Sequence, residues 1–378
     1  MKKVTRIISA ICMMSLLTFV STSCKKDQDN AGMEVISAEV ETFSVDGERA
    51  YIEPDNYNFL WHEEDYVRVF NLSSQANQSR TSVFYKFTPG ITSGARFRGP
   101  SVGNKMDVGY RLFYPVNMFK YKDDEQTFMA QLGNENRTTF TVATTQEFNN
   151  YSENGHISSV VDPEAMPMAI DPEKLAAPAT FRQMFGVAAI SFKAGMNKVV
   201  VVDSLLLTDK TLPITGDVTL RLDRVAVEDP VMGPEHNLID VWNAFEANGW
   251  DDNFASALAE ELSWLSWSSA NTGHSIMMNC LYAKEGEEEP TGVQLANAGG
   301  NVFTDFNFML RPCALYNGFT VTLYIHNFDD PTTAIVKSFD SDNHDFFYGN
   351  SSTPDFNWGI KRAKIKNFRY PTAVAIEE

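Results

Sequence analysis

Apolar and polar residues alternate with a period of two along much of this chain. Between positions 35 and 45, Ile36, Ala38 and Val40 alternate with Ser37, Glu39 and Glu41, which predicts a half-buried strand closed by the Asp46-Gly47 turn. Similar short runs recur between clusters of Gly, Pro, Asn and Ser: Tyr66 to Phe70, Ser82 to Thr88, Ala95 to Arg98, Tyr110 to Tyr114 and Arg137 to Ala143. No segment of this half holds a helical apolar stripe for long, so the pattern predicts an all-β unit. From Asn149 to Ala177 the periodicity fades, and Pro163, Pro167, Pro172 and Pro178 punctuate the stretch. It reads as loop or interdomain crossing, with a domain boundary near Pro178.

Strands are predicted again over Val187 to Lys193, Val199 to Leu207 and Asp217 to Val227. The middle run is so continuously apolar that both its faces read as covered. Between about 237 and 267 the texture changes. Leu238, Trp242 and Phe245, then Phe254, Leu258, Leu262 and Leu265, fall at helical spacings, split by a polar segment around Asn248-Gly249. Two short helices are expected there as an insertion. Strands resume at Ser275 to Tyr282, Val302 to Leu310, Phe319 to Phe328, Ile360 to Phe368 and Thr372 to Ile376; the acidic run Glu285, Glu287, Glu288 and Glu289 is expected as a solvated loop.

The first residues read as an address. Lys2, Lys3 and Arg6 form a basic region, Ile7 to Val20 an apolar one, and Ser21-Thr22-Ser23 leads to Cys24 where a bacterial lipobox places its acylated cysteine. The expectation is a lipoprotein signal over 1–23, lipidation at Cys24 and a polar tether over 24–34, with a lipid anchor holding the exported chain to a membrane. The 378 residues are long enough for two domains, expected over 35–178 and 179–378. Their formal charge of −18 leaves no footprint for a phosphate backbone, which argues against nucleic-acid partners. Loss of the signal would make the charge three units more negative. Export permits a disulfide between Cys280 and Cys313, although both lie in apolar strand-like runs where a buried thiol is common.

Several short motifs in order resemble the fimbrillin-like (Mfa-like) lipoproteins. The stretch from Tyr51 through Leu60-Trp61 to Asp65-Tyr66-Val67-Arg68-Val69-Phe70 is similar to their opening motif, with Glu64 where the family usually has Gly. Tyr110 to Pro115, Met166-Pro167-Met168-Ala169, Phe181 to Ile190, Phe306 to Pro312 and Ile360 to Ile365 resemble further family strands. The helical insertion has no counterpart in that pattern. The resemblance implies two tandem transthyretin-like β-sandwich domains and a subunit or adhesin of type V fimbriae at the cell surface. It further implies that a trypsin-like protease removes the first strand and that a strand from a neighbouring subunit replaces it. Arg49, followed by Ala50, fits the cut, and Thr372, Val374 and Ile376, alternating with Ala373 and Ala375 after Pro371, fit the donor.

Catalytic patterns are sparse. There is no Gly-x-Ser-x-Gly elbow, no His-Glu-x-x-His, no phosphate loop and no Cys-x-x-Cys pair, so neither enzyme activity, a cofactor nor a metal is expected. The segment from Asp340 to Asp345 offers oxygens to a hard cation but lacks the Gly and distal Glu of a calcium loop. The tryptophans of the insertion read as amphipathic core, apart from Trp250 in the polar interruption, a candidate exposed contact for a host or bacterial glycan or protein receptor. The alternative to a fimbrial subunit is a monomeric glycan-binding outer-membrane lipoprotein.

Overall fold

The computed structural model describes residues 33–40, 42, 44–45, 59–71, 81–100, 110–116, 137–153, 156–160, 167–170, 179–195, 199–221, 265–281, 292–296, 302–311, 314–343, 346–348, 359–360 and 364–376. In chain order the strands begin with β1 (Met33–Val40), β2 (Ser44–Val45), β3 (Tyr66–Asn71), β4 (Thr81–Lys86), β5 (Ala95–Pro100) and β6 (Tyr110–Tyr114). Next come β7 (Arg137–Val142), β8 (Thr145–Glu147), β9 (Asn149–Glu153), β10 (His156–Val160), β11 (Met168–Ile170) and β12 (Ala179–Gln183). They are followed by β13 (Gly186–Phe192), β14 (Val200–Asp209), β15 (Thr215–Arg221), β16 (Leu265–Gly273), β17 (Ser275–Asn279) and β18 (Val293–Gln294). The last are β19 (Thr304–Leu310), β20 (Phe319–Asn327), β21 (Asp330–Asp340), β22 (Phe347–Tyr348) and β23 (Lys364–Arg369). No α-helix occurs among the described residues, in keeping with the all-β class expected from the alternation.

Strands β1, β12, β11, β6, β3, β4 and β5 hydrogen-bond in a closed ring. Their inward positions are apolar at every second residue: Ile36 on β1, Val67 and Val69 on β3, Phe84 on β4 and Phe97 on β5 are fully buried. A ring has no free edge within this path, which removes the liability of an unpaired strand. Its tightest approach lies at Gly99, where Phe84 lies within 2.3 Å of the place a Cβ would occupy; any larger residue there would collide with the ring.

The second body is a sandwich of two sheets. One runs β2-β23-β13-β19-β10-β9 and the other β21-β20-β14-β17-β8. Ile190 and Phe192 on β13 and Phe306 and Phe308 on β19 face a core shared with Leu205 and Leu207 on β14 and Val321 and Leu323 on β20. Strands β13 and β19 are buried at every position, while β14 is buried throughout only over Val200–Val202 and then alternates. The expectation of a strand covered on both faces thus applies fully to β13 and β19 and to only part of β14. Gln146 on β8 ties the two sheets together, its amide donating to the Met309 carbonyl and accepting from the Met309 N–H, both at 3.1 Å. At the end of β14 the buried Asp209 carboxylate accepts from the N–H groups of Thr211, Leu212 and Leu315, which holds Leu315 in its left-handed conformation at φ 68°.

Three expectations are corrected by strand pairing. The stretch 149–177, expected as loop or crossing, contains β9, β10 and β11: β9 pairs with β10 beside it, β10 lies parallel to the distant β19 and β11 antiparallel to β6. The family-like strand Phe181 to Ile190 divides: β12 closes the ring and β13 enters the sandwich, so the chain crosses at Met184–Phe185 and the proposed boundary at 178 does not separate the sheets. Strands β7, β8 and β10, upstream of that boundary, pair with β15, β17 and β19 downstream of it. Finally, the end of the expected helical insertion, Leu265 to Trp267, is the start of β16 and pairs with β15. Backbone bonding to β15 overrides the local helical spacing. Residues 237–264 lie outside the described residues.

Candidate functional site

The first strand is bonded on both sides. From Met33↔Pro100 to Ala38↔Ala95 it runs antiparallel to β5, and from Ala38↔Ala179 to Val40↔Phe181 it runs parallel to β12. Ile36 and Ala38 point inward and are buried, whereas Val35 and Glu39 point outward and are exposed. Four residues beyond β1, Ser44 and Val45 pair in parallel with Lys364 and Ile365 of β23. One N-terminal segment therefore closes the ring and also contributes a short edge to the sandwich.

An aromatic cluster draws on the strands that flank β1, through Phe97 of β5 and Phe181 of β12. Trp61 is fully buried, with ring centroids 4.7 Å from Phe59, 4.9 Å from Phe97, 5.2 Å from Tyr114 and 5.4 Å from Phe181, all edge-to-face. Its backbone is pinned to the β4–β5 connection: Trp61 N donates to Thr92 O at 2.8 Å and Thr92 N donates back at 3.1 Å. The turn that follows needs no glycine at Glu64, since Leu315 is the sole non-glycine with positive φ among the described residues. Asp65 holds this turn instead, accepting from His62 N at 2.6 Å and from the Tyr114 hydroxyl at 3.1 Å. Glu63 accepts from Gly90 N at 2.8 Å, and the Lys86 ammonium donates to the Thr88 carbonyl at 2.8 Å and to that of Gly90, so the two turns at this end of the ring are cross-tied.

Burial pushes the Asp65 carboxyl above its ordinary range, against the lowering effect of its hydrogen bonds from His62 and Tyr114 and of the nearby charges of His62 and Lys86. A raised native value means that the folded state binds more protons than the unfolded chain, so this group costs stability as pH rises from about 4 through the native value. Asp65→Asn is expected to flatten that part of the profile, read as the difference in melting temperature between variant and wild type from pH 3 to pH 7. Parallel profiles would show that Asp65 titrates as it does when unfolded.

The C-terminal segment is not the regular strand that its alternation predicts. Pro371 has no N–H to extend β23, and after it only Val374 pairs, in an isolated parallel bridge with Ala194 supported by Val374 N donating to Lys193 O at 2.7 Å. Val374 is buried in the sandwich core, Ile376 is half-buried against it and Thr372 is exposed. Cys24, Arg49, Ala50 and Trp250 lie outside the described residues, as does Cys313. Cys280 is buried with a free thiol, which burial, reinforced by the charges of Asp203 and Glu147, pushes far up.

No cluster of three or more metal-ligating side chains occurs among the described residues. The oxygen-rich segment that opens at Asp340 is engaged by a lysine instead: Lys210 Nζ lies 2.5 Å from Asp340 and 2.6 Å from Asp342. Despite opposing burial, the hydrogen bonds from Lys210 and Asp342 hold the Asp340 carboxyl below its usual range. Sequence reading missed Asp65, Lys86 and the Lys210 bridge because each depends on residues brought together by strand register. Their only local sign is a charged residue beside or within an alternating apolar run.

No family model matches the chain, and no curated protein matches it. Among solved structures, a proposed cell adhesion protein from Bacteroides uniformis superposes at a TM-score of 0.39 with 10% identity over 90% of this chain and 94% of that one. A proposed cell adhesion protein from Bacteroides ovatus gives 0.35 and 12% over 81% and 85%, and a fimbrial protein from Bacteroides vulgatus 0.31 and 10% over 91% and 96%. Superpositions this loose carry no functional detail to individual residues.

Proposed function

We propose that this chain is a structural subunit or adhesin of cell-surface fimbriae, without catalytic activity. In this reading it is exported as a lipoprotein acylated at Cys24, cut between Arg49 and Ala50, and assembled with other subunits by β-strand exchange at the outer membrane. The observation that carries the reading is the placement of β1, bonded along both edges with Ile36 and Ala38 in the ring interior. Its loss would leave two open strand edges and a vacant apolar row, the features that an incoming strand satisfies. A cut after Arg49 lies beyond β2, so it would release β1 and β2 as one piece. The terminal segment supplies the complementary feature: Val374 and Ile376 are spaced as Ile36 and Ala38 are, and a single backbone bridge, together with the burial of Val374, ties them to their own body.

The test is intact-mass analysis beside electrophoresis of unboiled protein recovered from the producing cells. The wild type is expected to begin at Ala50 and to run as a ladder, and Arg49→Ala to keep residues 24–49 and remain monomeric. An acylated Cys24 on a wild-type monomer would overturn strand-exchange assembly.

A further inference from the structure

Outward-facing residues on the ring align across neighbouring strands into a row that the reading above does not use. Register places Tyr66 of β3 opposite Tyr85 of β4, Tyr85 opposite Arg98 of β5, and Arg98 opposite Val35 of β1. Tyr66 is 49% exposed and Val35 36%. The Arg98 guanidinium lies over the Tyr85 ring at 5.1 Å and over Phe87 at 5.3 Å, and that of Arg96 lies over Phe87 at 4.9 Å. Neither arginine meets a carboxylate among the described residues, although the chain carries 49 acidic side chains, and the buried Arg98 Nε has no hydrogen-bond partner. Glu39, on the same face of β1, forms no ion pair among the described residues either.

We propose that this row is a binding site for a short acidic saccharide. The exposed Tyr66 would stack on a sugar ring, and Arg98 with Arg96 would pair with the sugar carboxylates. Two guanidinium groups held in place by aromatic rings but without a counter-charge supply the complementarity to an anion. The geometry favours a saccharide over an acidic peptide. In the uncut chain β3, β4 and β5 each have neighbours on both sides in the ring, and without β1 the two strands that carry the tyrosines, β3 and β4, still do, so the tyrosine part of this face offers no free backbone edge to which a peptide strand could add. From Tyr66 to Arg98 the row crosses two strand separations, about 10 Å at the usual spacing, comparable with a disaccharide. The strongly negative remainder of the molecule repels long polyanions, which selects for short ones.

The side chains that would bind are separate from those that would be exchanged. Tyr66, Tyr85, Phe87, Arg96 and Arg98 all lie outside residues 24–49 and outside the terminal segment, so either proposal can fail alone. Calorimetric titration of the full chain with a short oligogalacturonate is the test, with a neutral galactose oligomer and a poly-glutamate peptide as comparison probes. The oligogalacturonate is expected to bind, the other two to bind at least about tenfold more weakly, and Arg98→Gln or Tyr66→Ala each to weaken binding about tenfold. Because Tyr66 is half exposed, its alanine variant keeps the fold, checked by an unchanged thermal melt, even if the Arg98 variant does not. Three results would each overturn the proposal: no binding by the wild type, equal binding of poly-glutamate, or no effect of Tyr66→Ala.

Discussion

Trp61→Ala is expected to lower the stability of the ring by about 3–5 kcal/mol, the usual cost of emptying a buried aromatic site. For a unit of this size that corresponds to a fall in melting temperature on the order of 10 °C. The size of the effect follows from the packing: four rings meet the indole edge-to-face, two of them from β5 and β12, the strands that hold β1 in the ring. Trp61→Phe is the informative partner. It keeps a ring among the others and discards an indole N–H that is buried without an acceptor, a group whose burial costs about 1–3 kcal/mol. The phenylalanine variant should therefore melt much closer to the wild type than the alanine variant does. If the two melt alike, the cluster is not what supports the ring.

A second large effect is expected at the C terminus. Ile376→Asp should abolish the ladder of unboiled protein while leaving the melt of the isolated monomer within about 1 kcal/mol of wild type, because Ile376 is only half-buried in its own body. Val374→Asp should abolish the ladder too, but it places a charge in the sandwich core and should also destabilise the monomer by several kcal/mol. Comparison of the two separates donation from folding. A normal ladder from Ile376→Asp would remove the terminal segment from the assembly reading.

Much of the fold was legible because alternation is a local property. Strand β6 occupies the predicted Tyr110 to Tyr114, and β3, β5 and β13 lie within a residue or two of their predicted ends. The misses share one cause. Asn149–Glu153 is too polar to be recognised as a strand and becomes one through antiparallel pairing with β10. Pro331 lies inside β21, yet β21 runs from Asp330 to Asp340 as the outer strand of its sheet, where one edge needs no partner. Thr372 to Ile376 alternates well, but after Pro371 it finds one bridge and no ladder. At the candidate sites, the donor residues could be proposed from alternation, whereas the row of Tyr66, Tyr85 and Arg98 could not, since its members come from three strands.

Alternation along the chain is enough to specify strands in place of helices, and which face of each strand is apolar, because side chains alternate sides whatever the strand later pairs with. Only the tertiary structure decided which strands are neighbours. Pairings such as β2 with β23, β7 with β15 and β1 with both β5 and β12 join residues far apart in the chain. The physical reason is that a strand's alternation specifies a face but not a partner. Register emerges when distant edges satisfy one another's backbone groups while keeping their apolar faces inward, a condition on the whole fold that no single segment carries.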